Sequence, residues 1–195
     1  MKYLVYIFII AIVSCKSEKF IYEESRFENI GNLEIRQAIE YEKSQKTENT
    51  TTKHKIGIGK GIYPNENNFE LETPISSNRS IRGKFELQTK YFYSKKDNLV
   101  KVILYEWHIP KESHFLIQIN KAKNKRKFDK KYKMIENEII KILGKPDVIA
   151  LNKDQFPYTR DERKWLQRNN TKAYLFKGNH EPSGHYHIEL AIYRE

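Results

Sequence analysis

Two groupings of side chains in this sequence have the composition for chemistry. His185, His187 and Glu189 stand at i, i+2 and i+4, a spacing that sends all three to one face of a strand. Two imidazoles and a carboxylate are a reasonable set for a divalent metal, and through it for metal-dependent hydrolysis. No fourth ligand is identifiable, and a solvated strand face alternating with Tyr186, Ile188 and Leu190 accounts for the same pattern. The stretch from His180 to His185 has one residue too many for H-E-x-x-H, and Pro182 and Gly184 forbid the helix that motif needs.

The second grouping is basic. Lys121, Lys123, Lys125, Arg126, Lys127, Lys130, Lys131 and Lys133 fall within thirteen positions that hold one acid, Asp129. Such a run is an electrostatic footprint for a polyanion, whether anionic lipid headgroups, lipopolysaccharide phosphates or nucleic acid. The alternative is a solvated loop and helix start. Lysine predominates over arginine, which argues against bidentate phosphate recognition.

Other chemistries are excluded or unmarked. Residues 56–62 read IGIGKGI, but the spacing and the Lys-Ser/Thr ending of a P-loop are absent. Glu70 and Glu72, or Asp161 and Glu162, have no partners marking them as acid and base, and no serine lies in a G-x-S-x-G elbow. The chain holds 1 cysteine, Cys15, so no disulfide can form within it. A binding role without catalytic residues or cofactor is therefore expected rather than an enzyme.

That cysteine carries an address. Met1 and Lys2 precede an uninterrupted apolar run over 3–13, too short to span a ~30 Å hydrocarbon core and right for the hydrophobic region of a signal peptide. Ile12-Val13-Ser14-Cys15 then resembles the lipobox of bacterial lipoproteins. The resemblance implies acylation of the Cys15 thiol, removal of residues 1–14 and anchoring to a lipid bilayer. Lys16 is not the aspartate that retains such proteins in the inner membrane, so outer-membrane attachment in the cell envelope is expected. An exported domain disfavours nucleic acid as partner, leaving a protein or an anionic envelope component. The metal alternative becomes a periplasmic metal-binding protein or hydrolase.

Positioning these groups falls to one domain. The chain of 195 residues carries a formal charge of +11, with 38% hydrophobic and 13% aromatic residues, enough for a core. The expected organisation is a cleaved segment 1–14, a lipidated N-terminus 15–55 with a helix over 32–42 and a polar loop over 43–55, and a globular domain 56–195. Within that domain, period-two apolar residues predict a hairpin of 81–94 and 99–109 about Lys95–Asn98, with a further strand at 114–119. Phe128, Tyr132, Ile135, Ile139 and Ile142 predict a helix over 127–143 stopped by Gly144 and Pro146. The box Thr159-Arg160-Asp161-Glu162 predicts a short helix to Arg168, and 172–177 with 184–193 a closing hairpin. The sum is an α+β fold: an antiparallel sheet of hairpins with one long and one or two short helices packed on it. Ile142-Leu143-Gly144-Lys145-Pro146, followed by Trp165 and a closing hairpin, resembles the helix-then-sheet plan of small bacterial outer-membrane assembly lipoproteins.

Overall fold

The computed structural model of the chain describes residues 21, 27–54, 56–58, 71–81, 85–109, 119–152, 158–168, 170–180 and 183–194. The lipobox with Cys15, most of the glycine-rich stretch 56–62, and residues 114–118 of the strand expected at 114–119 lie outside these residues.

Eight strands form one antiparallel sheet: β1 (Glu48–Asn49), β2 (Ile75–Ile81), β3 (Phe85–Tyr93), β4 (Val100–His108), β5 (Val148–Asn152), β6 (Tyr158–Arg168), β7 (Thr171–His180) and β8 (His185–Arg194). Their order is β1-β2-β3-β4-β8-β7-β6-β5. The β3–β4 hairpin turns where sequence places it, and Asn98 accepts the left-handed backbone (φ 57) that a tight turn needs and that asparagine tolerates. β4, almost continuously apolar, is central, because a strand covered on both faces has no use for alternation. Among the described residues two α-helices accompany the sheet, α1 (Ile35–Ser44) and α2 (Lys121–Leu143), so the α+β plan holds in outline.

Three expectations are corrected. The segment 158–168 is strand β6, not a short helix. The Thr-x-x-Glu box is a local signal, whereas in β6 Trp165 becomes fully buried and the backbone pairs on both sides, with β5 from Arg160 to Lys164 and with β7 from Tyr158 onward. The long helix begins at Lys121, six residues before the expected 127, so the whole basic run is helical and not a loop. Ile119, the last residue of the strand expected at 114–119, instead lies at the approach to α2 and is exposed.

The core occupies both faces of the sheet. On one, Leu87, Tyr91, Tyr105, Trp107, Leu175 and Leu190 pack with Phe128, Tyr132, Ile135 and Ile139 of α2. Full burial of such a side chain contributes about 1.5–3 kcal/mol. Phe128 meets Phe85 edge-on, with ring centroids 5.0 Å apart. The C-terminus of α2 is fixed by Gly144 (φ 78), whose N–H donates to the Ile140 carbonyl at 2.9 Å, while Trp165 Nε1 donates to the Gly144 carbonyl at 2.8 Å. On the other face a smaller cluster gathers Phe92, Val102, Leu104, Tyr174, Phe176 and Tyr193, with Ile58 against them. α1 is tied down by a buried charge set: Arg79 Nη2 donates to both Glu42 carboxylate oxygens at 2.8 and 2.6 Å, and Tyr91 Oη donates to the same carboxylate at 2.7 Å.

Candidate functional site: a cationic helix face

β8 does bring His185, His187 and Glu189 to one face, but they do not converge. Among the described residues no three His, Cys, Asp or Glu side chains are arranged to hold a metal ion. His187 lies over Gly178 of β7, its register partner, where a Cβ would collide with the imidazole, and its ring meets Phe176 edge-on at 5.6 Å. Its Nε2 is 3.7 Å from Glu189 Oε1. Burial holds the His187 imidazole below its ordinary range. His185 is exposed beside His180, whose Nδ1 is 2.6 Å from Ser183 Oγ and whose ring contacts Tyr158. These histidines pack and cap a hairpin.

Glu189 is the perturbed member. Its register partner on β4 is Glu106, whose two carboxylate oxygens accept bonds from Lys90 Nζ at 2.9 and 2.7 Å. Burial, and then the Glu106 charge, push the Glu189 carboxyl up to about 7. The sequence shows neither cause, because the two glutamates meet only through a pairing of strands 83 residues apart in the chain (189 − 106 = 83).

The basic run has a clearer geometry. Its residues divide according to their position around α2. Lys131 is removed from any anion-binding role: it is buried, with Nζ 5.9 Å from the Phe85 ring centroid and 5.6 Å from that of Trp107. Lys133 donates to Glu136 at 2.9 Å, and Lys121 is half-buried. Lys123, Lys125, Arg126, Lys127 and Lys130 form no ion pair with any described residue, and all but the half-buried Lys127 are exposed. Four of these, Lys123, Arg126, Lys127 and Lys130, stand at i, i+3, i+4 and i+7, which is one face of the helix. They line a shallow depression with Ala122 and the exposed Ile119.

Several cations elsewhere on the helix and sheet are partnered. Arg163 of β6 donates to Glu136 and Asp161, Lys177 of β7 donates to Asp129, and Arg79 and Lys90 have the partners named above. The outward α2 face is set apart by gathering, on one side of a helix, four cations that are unpaired among the described residues. It also opposes the helix dipole: the first turn holds no acid and Asn120 makes no side-chain cap, so these charges weaken the helix they sit on. Its stability comes from the buried stripe instead. The run was evident in sequence, but which lysines are neutralised was not, since Asp161 and Arg163 reach α2 only through the sheet. Only Lys133 and Glu136, at helical i, i+3 spacing, were readable as a pair.

Compared with known proteins, the chain matches no family model, no curated protein and no solved structure.

Proposed function

We propose that this chain is a lipid-anchored protein of the bacterial cell envelope whose domain docks on an anionic envelope component through the outward face of α2. The observation that carries this reading is the set Lys123, Arg126, Lys127 and Lys130, four cations on one helical face with no acidic partner among the described residues. The lipobox-like Ile12-Val13-Ser14-Cys15 supports the anchor, because a thiol at that position behind a short apolar run is where acylation occurs in the proteins it resembles. A diffuse patch of flexible lysines suits a surface of many phosphates better than one bidentate ligand.

The test uses residues 15–195 with Cys15→Ser, so that no acyl chain contributes to binding. Each lysine near an anionic surface is worth about 1 kcal/mol, so four give about 4 kcal/mol, or about a thousandfold, at low salt. The protein should sediment with phosphatidylglycerol vesicles at low salt and be released at high salt, as screening shortens the reach of each charge. Reversal of Lys123, Arg126, Lys127 and Lys130 to glutamate should abolish sedimentation with an unchanged circular-dichroism spectrum. Equal sedimentation of the reversed variant overturns the reading.

A further inference from the structure

A second feature of α2 lies on its flank, away from the outward cationic face, where the helix leaves the ends of β5 to β8 uncovered. There a pocket of about 320 Å³ opens between helix and sheet. That volume is at the low end for small-molecule sites, enough for one or two sugar-sized rings and too small for a large cofactor.

Its lining is polar and largely pre-formed. Asp129 and Lys125 come from α2, Asp161 and Thr159 from β6, and Lys177 and Asn179 from β7. Asn179 is 6% exposed, and its Nδ2 donates to Thr159 Oγ1 at 3.4 Å, which fixes two walls relative to each other. Tyr186 of β8 and the exposed Leu151 of β5 supply the apolar surface.

Charge pairing within the pocket narrows the ligand. Asp129 accepts from Lys177 through Oδ1, and Asp161 accepts from Arg163 through Oδ1. The Oδ2 atom of each accepts no side-chain bond from a described residue, and a carboxylate can accept about four. Two paired carboxylates therefore keep lone pairs for hydroxyl donors while adding little net charge. Arg160 of β6 also lines the pocket but is paired with Glu162 at 2.6 Å, so Lys125, which forms no ion pair with a described residue, remains as one uncompensated cation. An apolar ligand would leave these groups desolvated, and a polyphosphate would need more than one free cation. A polyhydroxylated ring with a single negative group satisfies the hydroxyl acceptors, the amide, the apolar wall and the cation together.

We propose that the pocket between α2 and the β5–β8 ends binds one acidic sugar residue, with its carboxylate or phosphate on Lys125 and its hydroxyls on Asp129 and Asp161. This goes beyond docking through the outward face, and neither site needs the other. The experiment is calorimetric titration of the full chain in a detergent without sugar headgroups, using glucuronate, glucose 6-phosphate, glucose and inorganic phosphate. At least one of the two acidic sugars should bind about tenfold tighter than glucose, the worth of one charge-assisted bond, and their ranking tells carboxylate from phosphate. Lys125→Gln, an exposed substitution that spares the fold, should lower the acidic sugars to the level of glucose and leave glucose unchanged. The Lys123, Arg126, Lys127 and Lys130 reversal should leave all of these affinities unchanged, which separates this site from the proposed docking face. Absence of sugar binding, insensitivity to Lys125→Gln, or inorganic phosphate binding as tightly as the sugars would overturn the proposal.

Discussion

Replacing Glu189 by glutamine should make the protein more stable at neutral pH and leave it unchanged in acid. The carboxyl is half-buried between β4 and β7 on the sheet face that carries Phe176, with a side-chain exposure of 18%, and the Glu106 carboxylate stands directly across the ladder. Lys90 binds both oxygens of Glu106 and so shields it only in part. With the folded-state value raised from 4.5 to about 7, the native protein holds a proton that the unfolded chain releases. A raised carboxyl contributes stability that is fully present below the unfolded value and is lost as pH climbs through the folded one. The interval corresponds to about 3 kcal/mol at 1.36 kcal/mol per unit. Glutamine mimics the protonated form, so Glu189→Gln should match the parent below about pH 4 and exceed it by up to about 3 kcal/mol near pH 8. Urea unfolding followed by the fluorescence of the buried Trp107 and Trp165 measures both, and taking the difference between variant and parent cancels the other titrating groups. Parallel stability curves from acid to neutral pH would show that Glu189 is solvated and that the reasoning from burial and Glu106 is wrong.

Two more outcomes follow from the same structure. Arg79→Met leaves the Glu42 carboxylate buried with only Tyr91 as donor among the bonds described above, and should cost about 3–5 kcal/mol in denaturant unfolding, whereas the double variant Glu42→Gln, Arg79→Met should recover much of the loss. Cells grown with a clickable fatty acid should label the parent protein but not Cys15→Ser, and retention of residues 1–14 in the mature parent would refute the proposed address.

Sequence made some elements plain and hid others for reasons visible in the residues. The β3–β4 hairpin was readable because Phe85, Leu87 and Tyr91 keep period two and Asn98 marks the turn. The helix end was readable because Gly144 and Pro146 act locally. β6 was hidden because its capping box is also local, while the forces that make it a strand are its ladders to β5 and β7 and the burial of Trp165, all of them tertiary. β5 was hidden for a related reason: Val148, Ile149 and Leu151 form a short apolar run beside a proline, and three exposed apolar residues on an edge strand give no inward row to recognise. At the candidate site, residue type was readable and charge state was not. Lys131 looked like its neighbours until its position on the core side of α2 buried it against Phe85 and Trp107.

The separation of labour within α2 explains how a helix can carry so unfavourable a first half. Its fold is secured by Phe128, Tyr132, Ile135, Ile139 and Leu143, and by the Gly144 and Trp165 closure at its C-terminus, none of which involves the outward lysines. Charges on that face are consequently free to serve an external partner, at a cost limited to the screened dipole and like-charge terms of about 0.3–1 kcal/mol each. On the proposed reading the anchor further lowers what the face must supply. From Cys15 to Ile21, which is buried in the core, the chain spans six residues, at most about 22 Å when fully extended, so an acylated protein is always within reach of its own bilayer. Tethering converts docking on that surface into an intramolecular step, for which the effective concentration set by a short tether is of millimolar order. An interaction of about 4 kcal/mol, which corresponds to a millimolar dissociation constant for free partners, then suffices to hold the domain on the surface about half of the time. A patch of exposed lysines holds the unanchored domain on vesicles only at low salt, and tethering lets the same patch suffice where salt screens it, so on the proposed reading the cationic face and the lipid anchor act as parts of one device.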